Sequence, residues 1–138
     1  MNKVYLIGNG YVCNFITDKH SDDFEFIGVC RSKKNNCKIN HCLDISTCTN
    51  QLKEVFQEEG SVVYLAAPQP TGVKDLTLNH FLSHVDKTKI NKIVYISTSG
   101  VYGDKNDQLV NEKSELIPLT DRAKRRVDAE GQITKSNI

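Results

Sequence analysis

The sequence predicts an α/β domain built on a doubly wound parallel sheet, and two observations support that prediction. Short apolar runs of β character alternate with helical patterns along the 138 residues, the order that right-handed crossovers produce in a parallel sheet. The runs at residues 61–67 and 92–98 are nearly continuous in apolar residues, as strands covered on both faces are. We therefore expect about five strands with flanking helices, and we expect these two runs in the middle of the sheet.

The individual elements follow from the same patterns, taken in chain order. The predicted strands cover residues 3–7, 24–30, 39–45, 61–67 and 92–98. The spacing of apolar side chains predicts helices near residues 12–18, 48–59 and 76–87, and another that contains Val127 and Ile133. Ligands of such folds bind beyond the carboxyl ends of the strands, so we expect function in the loops that follow the strands.

Length and composition indicate one domain that covers residues 1–138. A content of 38% hydrophobic and 25% charged residues fits a single globular unit. The 18 Lys and Arg residues nearly balance the 17 Asp and Glu residues, so we expect neither nucleic acid nor a membrane surface as a partner. Because no leader pattern and no apolar run of membrane-spanning length is present, the expected location is cytoplasmic.

The cysteines indicate reduced thiols rather than a disulfide framework or a metal centre. The chain has an odd number of them, at Cys13, Cys30, Cys37, Cys42 and Cys48. Together with His41, the last three offer the ligand types that zinc prefers. However, no CxxC pair is present, and Cys30 and Cys42 fall in β-like runs where a cysteine acts as a small hydrophobic residue. We expect no metal site.

A glycine-spaced turn follows the first strand and precedes the first helix. This order places the pyrophosphate of a dinucleotide on a helix N-terminus. Gly8 permits the tight turn, and Gly10 lets backbone amides approach the phosphates. The predicted binding residues here are Gly8, Gly10, Tyr11 and Val12. Cys13 stands at the third glycine position of a GxGxxG fingerprint, so an ordinary strand-to-helix turn remains the alternative.

The loop after the second strand favours NADP over NAD. An acidic residue near this position binds the ribose hydroxyls of NAD, whereas an arginine accommodates the 2′-phosphate of NADP. The sequence here has Arg31, Ser32 and Lys33 and no acidic residue. We predict that Arg31 and Ser32 bind the cofactor, and a solvated basic loop is the alternative.

Two further strand ends contribute candidate cofactor-binding residues. Asp44 follows the third strand and is a candidate to accept a hydrogen bond from the adenine amino group, although a turn or capping role is the alternative. Ala66, Ala67 and Pro68 follow the fourth strand and place small residues where a cofactor crosses the sheet.

The segment STSGVYGD at residues 97–104 resembles the active-site strand of the extended short-chain dehydrogenases/reductases, the nucleotide-sugar epimerase/dehydratase family. GNGYV at residues 8–12 and AAP at residues 66–68 are similar to its atypical members, so the resemblance covers the whole chain in order. It implies a Rossmann-like fold and hydride transfer between a nicotinamide and a nucleotide sugar or related metabolite. It also implies that Thr98 hydrogen-bonds the reacting oxygen, although a β-branched residue that ends a strand is common.

The sequence departs from the family pattern in the next helix. The family places a tyrosine and a lysine four residues apart, ahead of an Ala-Glu pair, and alignment on Ala129 and Glu130 puts Arg122 and Arg126 there. A guanidinium stays protonated, so Arg122 is a poor proton shuttle. Arg126 is a candidate to bind ribose or phosphate, but we expect most of the basic run at residues 122–126 to face solvent.

The family continues with a sixth strand and a substrate-binding lobe, whereas this sequence ends at Ile138. We expect a sheet truncated before the sixth strand and a domain that is inactive by itself. An unpaired strand edge favours self-association or a missing C-terminal half. The alternatives are a non-catalytic module that senses a dinucleotide or binds a protein, and a fold relic without a ligand.

Overall fold

A computed structural model describes residues 1–138 and contains five strands and four α-helices. The strands are β1 (Asn2–Ile7), β2 (Phe24–Cys30), β3 (Ile39–Cys42), β4 (Gly60–Tyr64) and β5 (Ile90–Tyr95). The helices are α1 (Tyr11–His20), α2 (Asn50–Val55), α3 (Leu76–His84) and α4 (Asp121–Lys135), and short 3-10 turns lie at Lys87–Lys89 and Ser99–Tyr102. No helix combines the length and the apolar character that crossing a lipid bilayer requires.

All neighbouring strands are parallel, in the order β3-β2-β1-β4-β5. Tyr5 at the centre of the sheet pairs with Ile27 of β2 on one side and with Val62 of β4 on the other. The predicted doubly wound sheet with about five strands is therefore confirmed. The strand order reverses between β1 and β4, and open parallel sheets bind ligands at such a point, beyond the carboxyl ends of the strands.

The predicted place of the fifth strand in the middle of the sheet is wrong, whereas the fourth strand is internal as expected. β5 pairs only with β4 and forms one edge. Val94 within β5 is 45% exposed, and Ile96 just beyond it is 51% exposed. An apolar run identifies a strand with β propensity, but it carries no information on whether a further strand pairs with its outer edge.

Three predicted strands end earlier than expected at their carboxyl ends, at Cys42, Tyr64 and Tyr95. Asp44, Ala66, Ala67 and Thr98 consequently lie in loops beyond the strands. Helices α2 and α3 are also shorter than the predicted 48–59 and 76–87, whereas α1 and β2 match closely. The shortened strands leave more loop at the edge of the sheet where a ligand is expected.

Helices cover both faces of the sheet. Helices α2, α3 and α4 pack on one face over the larger core cluster, where Tyr5 contacts Phe56 with ring centroids 4.3 Å apart. Helix α1 packs on the other face over a smaller cluster of Val4, Leu6, Cys13 and Phe26. Each fully buried apolar side chain contributes about 1.5–3 kcal/mol to the free energy of unfolding, so the larger cluster supplies most of the stabilisation.

Candidate functional site

A cleft of about 500 Å³ opens at the carboxyl ends of β1, β2, β3 and β4, in the size range of small-molecule sites. Most of the predicted binding residues line it, although they come from four separate segments of the chain. They are Gly8, Gly10, Arg31, Ser32, Asp44, Ala66, Ala67 and Pro68. The structure thus brings the strand-end motifs together at the point where the strand order reverses.

Gly8 is required by the turn that follows β1. Its φ of +87° lies in the left-handed region, and a Cβ at this position would lie 2.5 Å from the backbone nitrogen of Ala66. The Gly8 N–H also donates to the carbonyl oxygen of Val29 at 2.9 Å. Gly8 therefore lets the loops after β1 and β4 touch, and its contacts are structural.

Gly10 has a different environment, because the protein leaves the space beside it open. A Cβ there would meet only the Gly8 carbonyl oxygen, at 3.7 Å. Gly10 is the N-cap of α1 and supplies no side-chain cap, so the first N–H groups of that helix are free to bind an anion. Tyr11 and Val12 begin α1 with exposed side chains outside the cleft lining, which leaves their backbone amides as the groups able to contact a phosphate.

Cys13, at the third glycine position of the fingerprint, does not disturb the turn. Its side chain is fully buried between α1 and the sheet, and its thiol donates a weak hydrogen bond to the Gly8 carbonyl at 3.8 Å. Burial raises the pKa of this thiol. The close packing of helix on strand that a glycine normally allows is achieved here with a small apolar side chain.

Asn9 is a site residue that the sequence did not single out. It lines the cleft but is only 2% exposed. Its side-chain amide donates to Asn36 at 2.6 Å and to Asn40 at 2.9 Å, and Asn36 donates back to it at 2.6 Å. The asparagine between two glycines was the available signal, but its distant partners are visible only in the folded chain. This network ties the turn after β1 to β3 and to the loop before it.

A basic corner of the cleft follows β2. Arg31 and Ser32 are exposed and line the cleft together with Lys34, whereas Lys33 lies outside its lining. No carboxylate forms a salt bridge with Arg31. Its guanidinium is therefore available to an anionic ligand.

Asp44 takes the turn role that was the alternative at this position, and it also lines the cleft. Its Oδ1 accepts hydrogen bonds from the Ser46 backbone N–H at 2.9 Å and from the Ser46 hydroxyl at 2.6 Å. These bonds, with the hydroxyl contributing most, lower the pKa of Asp44. The carboxylate is thus ionised and held in position at the cleft wall.

Thr98 lies outside the cleft lining but at the same end of the sheet. It is the N-cap of the turn Ser99–Tyr102 and is partly buried. Tyr64 of β4 pairs with Tyr95 of β5, so Thr98 lies three residues beyond this pair, as Ala67 does on β4. Thr98 and Ala67 therefore both follow their strands at the carboxyl edge of the sheet.

The structure does not bring Arg126 into the cleft. Its Nη1 donates to the Tyr95 hydroxyl at 2.7 Å, between α4 and β5. The expectation of a mostly solvated basic run holds for Arg122 and Lys124 but is wrong for Arg125, which is buried and donates to the Gly72 carbonyl. The charge pattern alone did not indicate that Arg125 lies on the face of α4 that packs against the rest of the protein.

A buried polar cluster lies beneath α4, at the start of α3. Asp75 is fully buried and caps α3, since its Oδ1 accepts from the Leu78 N–H at 2.9 Å. Its Oδ2 has no hydrogen-bond partner, and neither has the hydroxyl of buried Tyr64. Burial raises the pKa of Asp75 and that of Tyr64. The Asp75 backbone joins α3 to α4, since its N–H donates to Asp128 and its carbonyl accepts from Gln132, each at 2.9 Å. Asp75 and Tyr64 lie outside the cleft lining.

The strand order, the Gly8–Gly10 turn and the cleft at the reversal point define a Rossmann-like fold. No protein-family model matches the sequence, and a search of curated proteins also found no match.

Solved structures of nucleotide-sugar epimerases share this fold. UDP-glucuronic acid 4-epimerase from Bacillus cereus in complex with NAD superposes with a TM-score of 0.79 at 18% identity, over 97% of this chain and 52% of that chain. The UDP-Glc/GlcNAc 4-epimerase from Campylobacter jejuni superposes with a TM-score of 0.81 at 17% identity, over 99% of this chain and 49% of that chain. This chain thus spans about half the length of these epimerases. At such identities the likeness establishes the fold.

Proposed function

We propose that this chain is the dinucleotide-binding domain of a protein that acts on a nucleotide sugar or a related metabolite. The single observation that carries the proposal is the cleft, because it joins the glycine turn, the basic corner and the small residues after β4 at one sheet end. Neighbours of the same fold were solved with NAD, and one with both UDP-glucuronic acid and NAD. This supports a nicotinamide dinucleotide as the ligand class.

In this proposal the pyrophosphate lies over Gly10, against the backbone amides of Tyr11 and Val12. The open space at Gly10 supports this placement, since a side chain there would occupy the cleft rather than clash with protein. Asp44 forms the wall near the adenine, and Ala66, Ala67 and Pro68 leave room where the dinucleotide crosses the sheet.

We further propose that the chain prefers NADP to NAD. Arg31 lies in the cleft without a carboxylate partner, and Ser32 and Lys34 lie beside it. A charge-assisted hydrogen bond from Arg31 to the 2′-phosphate contributes about 1.5–3 kcal/mol to binding. NADH lacks that phosphate, so it loses this contribution.

The proposed chemistry of the parent protein is oxidation-reduction, epimerisation or dehydration, in which the bound nicotinamide accepts or donates hydride. Thr98 would orient and polarise the substrate oxygen through its hydroxyl. The residues that align with the family's acid/base pair are Arg122, which is exposed, and Arg126, which is bonded to Tyr95. We propose that the chain alone has no turnover because it lacks a proton shuttle at this position.

Isothermal titration calorimetry of the full chain with NADPH, NADH and UDP-glucose tests these assignments. We expect the NADPH dissociation constant to be at least about tenfold below that of NADH, as a difference of 1.4 kcal/mol requires. Binding of UDP-glucose without either dinucleotide would contradict the proposal, and so would the absence of any dinucleotide binding by the folded chain.

The open edge of β5 favours a second candidate function, in which the chain associates with itself or another protein. The outer edge of β5 has unpaired backbone groups, and Val94 and Ile96 beside it are about half exposed. Sedimentation velocity of wild type and Val94→Lys over a concentration series tests this. A wild type that associates and a variant that does not would support the association, whereas a monomeric wild type at all concentrations would contradict it.

A further inference from the structure

A second cleft, of about 280 Å³, lies beside the nucleotide cleft and contains three of the five cysteines. Cys30, Cys37 and Cys42 line it together with the basic residues Lys33, Lys34 and Lys38. Cys42 is exposed, and Cys30 and Cys37 are partly buried, so an oxidant in solvent can reach the first of these thiols directly. Neither the fold nor the proposed binding of a dinucleotide requires three thiols at this place.

Two of these thiols face each other across neighbouring strands. Cys30 ends β2 and Cys42 ends β3, and the two are direct partners in the parallel register. Neighbouring strands lie about 4.7–4.9 Å apart, and this is within the Cα separation of about 4.4–6.8 Å that a disulfide needs. Partnered residues also project from the same face of a sheet. The two sulfur atoms can therefore be joined by rotation of the side chains.

The same two thiols hold the turn that carries the basic corner. Cys30 Sγ donates to the Ser32 carbonyl at 2.8 Å, and Cys42 Sγ donates to the Arg31 carbonyl at 3.2 Å. A disulfide has no S–H donor, so its formation would remove both hydrogen bonds at once. The Arg31–Ser32 segment would then lose its contacts with the ends of β2 and β3.

We propose that Cys30 and Cys42 are a reversible disulfide site, and that its oxidation by a peroxide weakens binding in the neighbouring cleft. The effect on binding rests on the proposed dinucleotide function, whereas the disulfide itself does not. The exposed Cys42 thiolate attacks one peroxide oxygen and breaks the O–O bond, which yields a sulfenic acid and hydroxide. The Cys30 sulfur then attacks the Cys42 sulfur, the S–S bond forms, and the sulfenic oxygen leaves as water with the Cys30 proton. Two thiols and one hydrogen peroxide thus give one disulfide and two waters.

Cys37 is the competing thiol in this cleft. Burial raises the pKa of Cys37 to about 11, so it remains a thiol at neutral pH. It also lies in the loop before β3 and has no partner across the strands. Cys37 is therefore a matched control for Cys42, since both line the same cleft and only Cys42 faces Cys30.

The experiment treats the full chain with hydrogen peroxide, blocks free thiols with N-ethylmaleimide and maps tryptic peptides by mass spectrometry without reduction. Trypsin cuts after Arg31, Lys34 and Lys38, so the three cysteines fall in three different peptides. Cys48 shares the Cys42 peptide, and fragment ions distinguish the two. NADPH affinity is measured by calorimetry before oxidation, after oxidation and after dithiothreitol.

We expect a Cys30–Cys42 link that dithiothreitol reverses, that Cys30→Ser and Cys42→Ser abolish, and that Cys37→Ser retains. We expect the oxidised chain to bind NADPH about fivefold more weakly, as the loss of two weak hydrogen bonds implies. The hydroxyl in Cys42→Ser can still donate to the Arg31 carbonyl, so the NADPH affinity of this variant before oxidation should be close to that of wild type. The variant cannot form the Cys30–Cys42 link, so peroxide treatment should not change that affinity.

The absence of this link, or a link to Cys37 instead, would overturn the proposed site. A complete Cys30–Cys42 link with unchanged NADPH affinity would overturn the effect on binding. A reduced chain that binds no dinucleotide would refute the proposed function instead, and the peptide masses would still decide whether the disulfide forms.

Discussion

Arg126 of α4 donates a hydrogen bond to the hydroxyl of Tyr95 at the end of β5, over a distance of 2.7 Å. The guanidinium also lies 5.6 Å from the centroid of the Tyr95 ring, within the range of a cation–π interaction. The residue at the family's lysine position therefore attaches the last helix to the edge strand.

We expect Arg126→Ala to lower the free energy of unfolding by about 1–3 kcal/mol, because a partly buried charged hydrogen bond and its cation–π contact are lost. NADPH affinity should stay within about twofold of wild type, which corresponds to less than 0.5 kcal/mol, since Arg126 does not line the cleft. Urea unfolding and calorimetry measure the two effects. Arg122→Ala is the matched control on the exposed side of α4, and a large loss of affinity in Arg126→Ala would instead restore its predicted role at the cofactor.

Arg31→Ala should weaken NADPH binding by at least about tenfold and leave NADH binding nearly unchanged, because only NADPH has the 2′-phosphate. Lys33→Ala is the control, since Lys33 is adjacent in sequence but outside the cleft lining. Parallel titrations with both dinucleotides measure the ratio. Equal losses for the two, or no loss, would contradict the assignment of Arg31.

Gly10→Val should lose dinucleotide binding, whereas Gly8→Ala should lose stability. A Cβ at Gly10 would meet only the Gly8 carbonyl oxygen, at 3.7 Å, so Gly10→Val should fold and lose dinucleotide binding because its side chain fills the pyrophosphate space. A Cβ at Gly8 would overlap the Ala66 backbone at a left-handed φ, so Gly8→Ala should lower the melting temperature. Circular dichroism melts and NADPH titrations separate the two outcomes. A folded Gly10→Val that binds NADPH normally would favour the fold-relic interpretation.

The chain alone should show no epimerase, dehydratase or reductase turnover. General acid–base catalysis contributes about 10²–10⁴-fold, and neither Arg122 nor Arg126 supplies it. The rate of NADPH oxidation is measured from the absorbance of its nicotinamide, with UDP-sugars or simple carbonyl compounds as substrates. Steady NADPH oxidation that Thr98→Val abolishes would show that another residue is the proton shuttle.

The stability of Asp75→Asn relative to wild type should increase as the pH rises. Burial raises the pKa of Asp75 in the folded state, so the folded chain binds its proton more tightly than the unfolded chain, whose pKa is about 3.9. Stability is therefore lost as the pH rises from the unfolded pKa through the raised folded pKa. The amide removes the buried charge and keeps an Oδ1 acceptor for the Leu78 N–H.

Thermal melts of both chains between about pH 3.5 and pH 7.5, on either side of the unfolded pKa, check this. The melting temperature of Asp75→Asn relative to wild type should rise with pH. Asp86→Asn should show the opposite trend, confined to the acid end of the range, because hydrogen bonds from Thr88 lower the pKa of Asp86 and its stabilisation is lost only as the pH falls below about 3.9. A pH-independent difference for Asp75→Asn would contradict the prediction.

Local patterns were enough to predict the parallel sheet and the strand ends that line the cleft. Gly8, Gly10, Arg31 and Asp44 were identified because each follows a strand, and in a parallel sheet all carboxyl ends meet at one edge. The edge position of β5 could not be predicted in the same way. Its apolar composition reflects β propensity, whereas its position depends on whether another strand pairs beside it.

The sequence by itself therefore determined the order and type of the elements, the turn at Gly8 and the basic corner at Arg31, since these depend on neighbours within a few residues. Only the tertiary structure decided the contacts that join distant segments. They include the bonds from Asn9 to Asn36 and Asn40, the attachment of Arg126 to Tyr95 and the register that places Cys30 opposite Cys42. Such contacts depend on how separate segments pack, and the local spacing of residue types along one segment does not encode that packing.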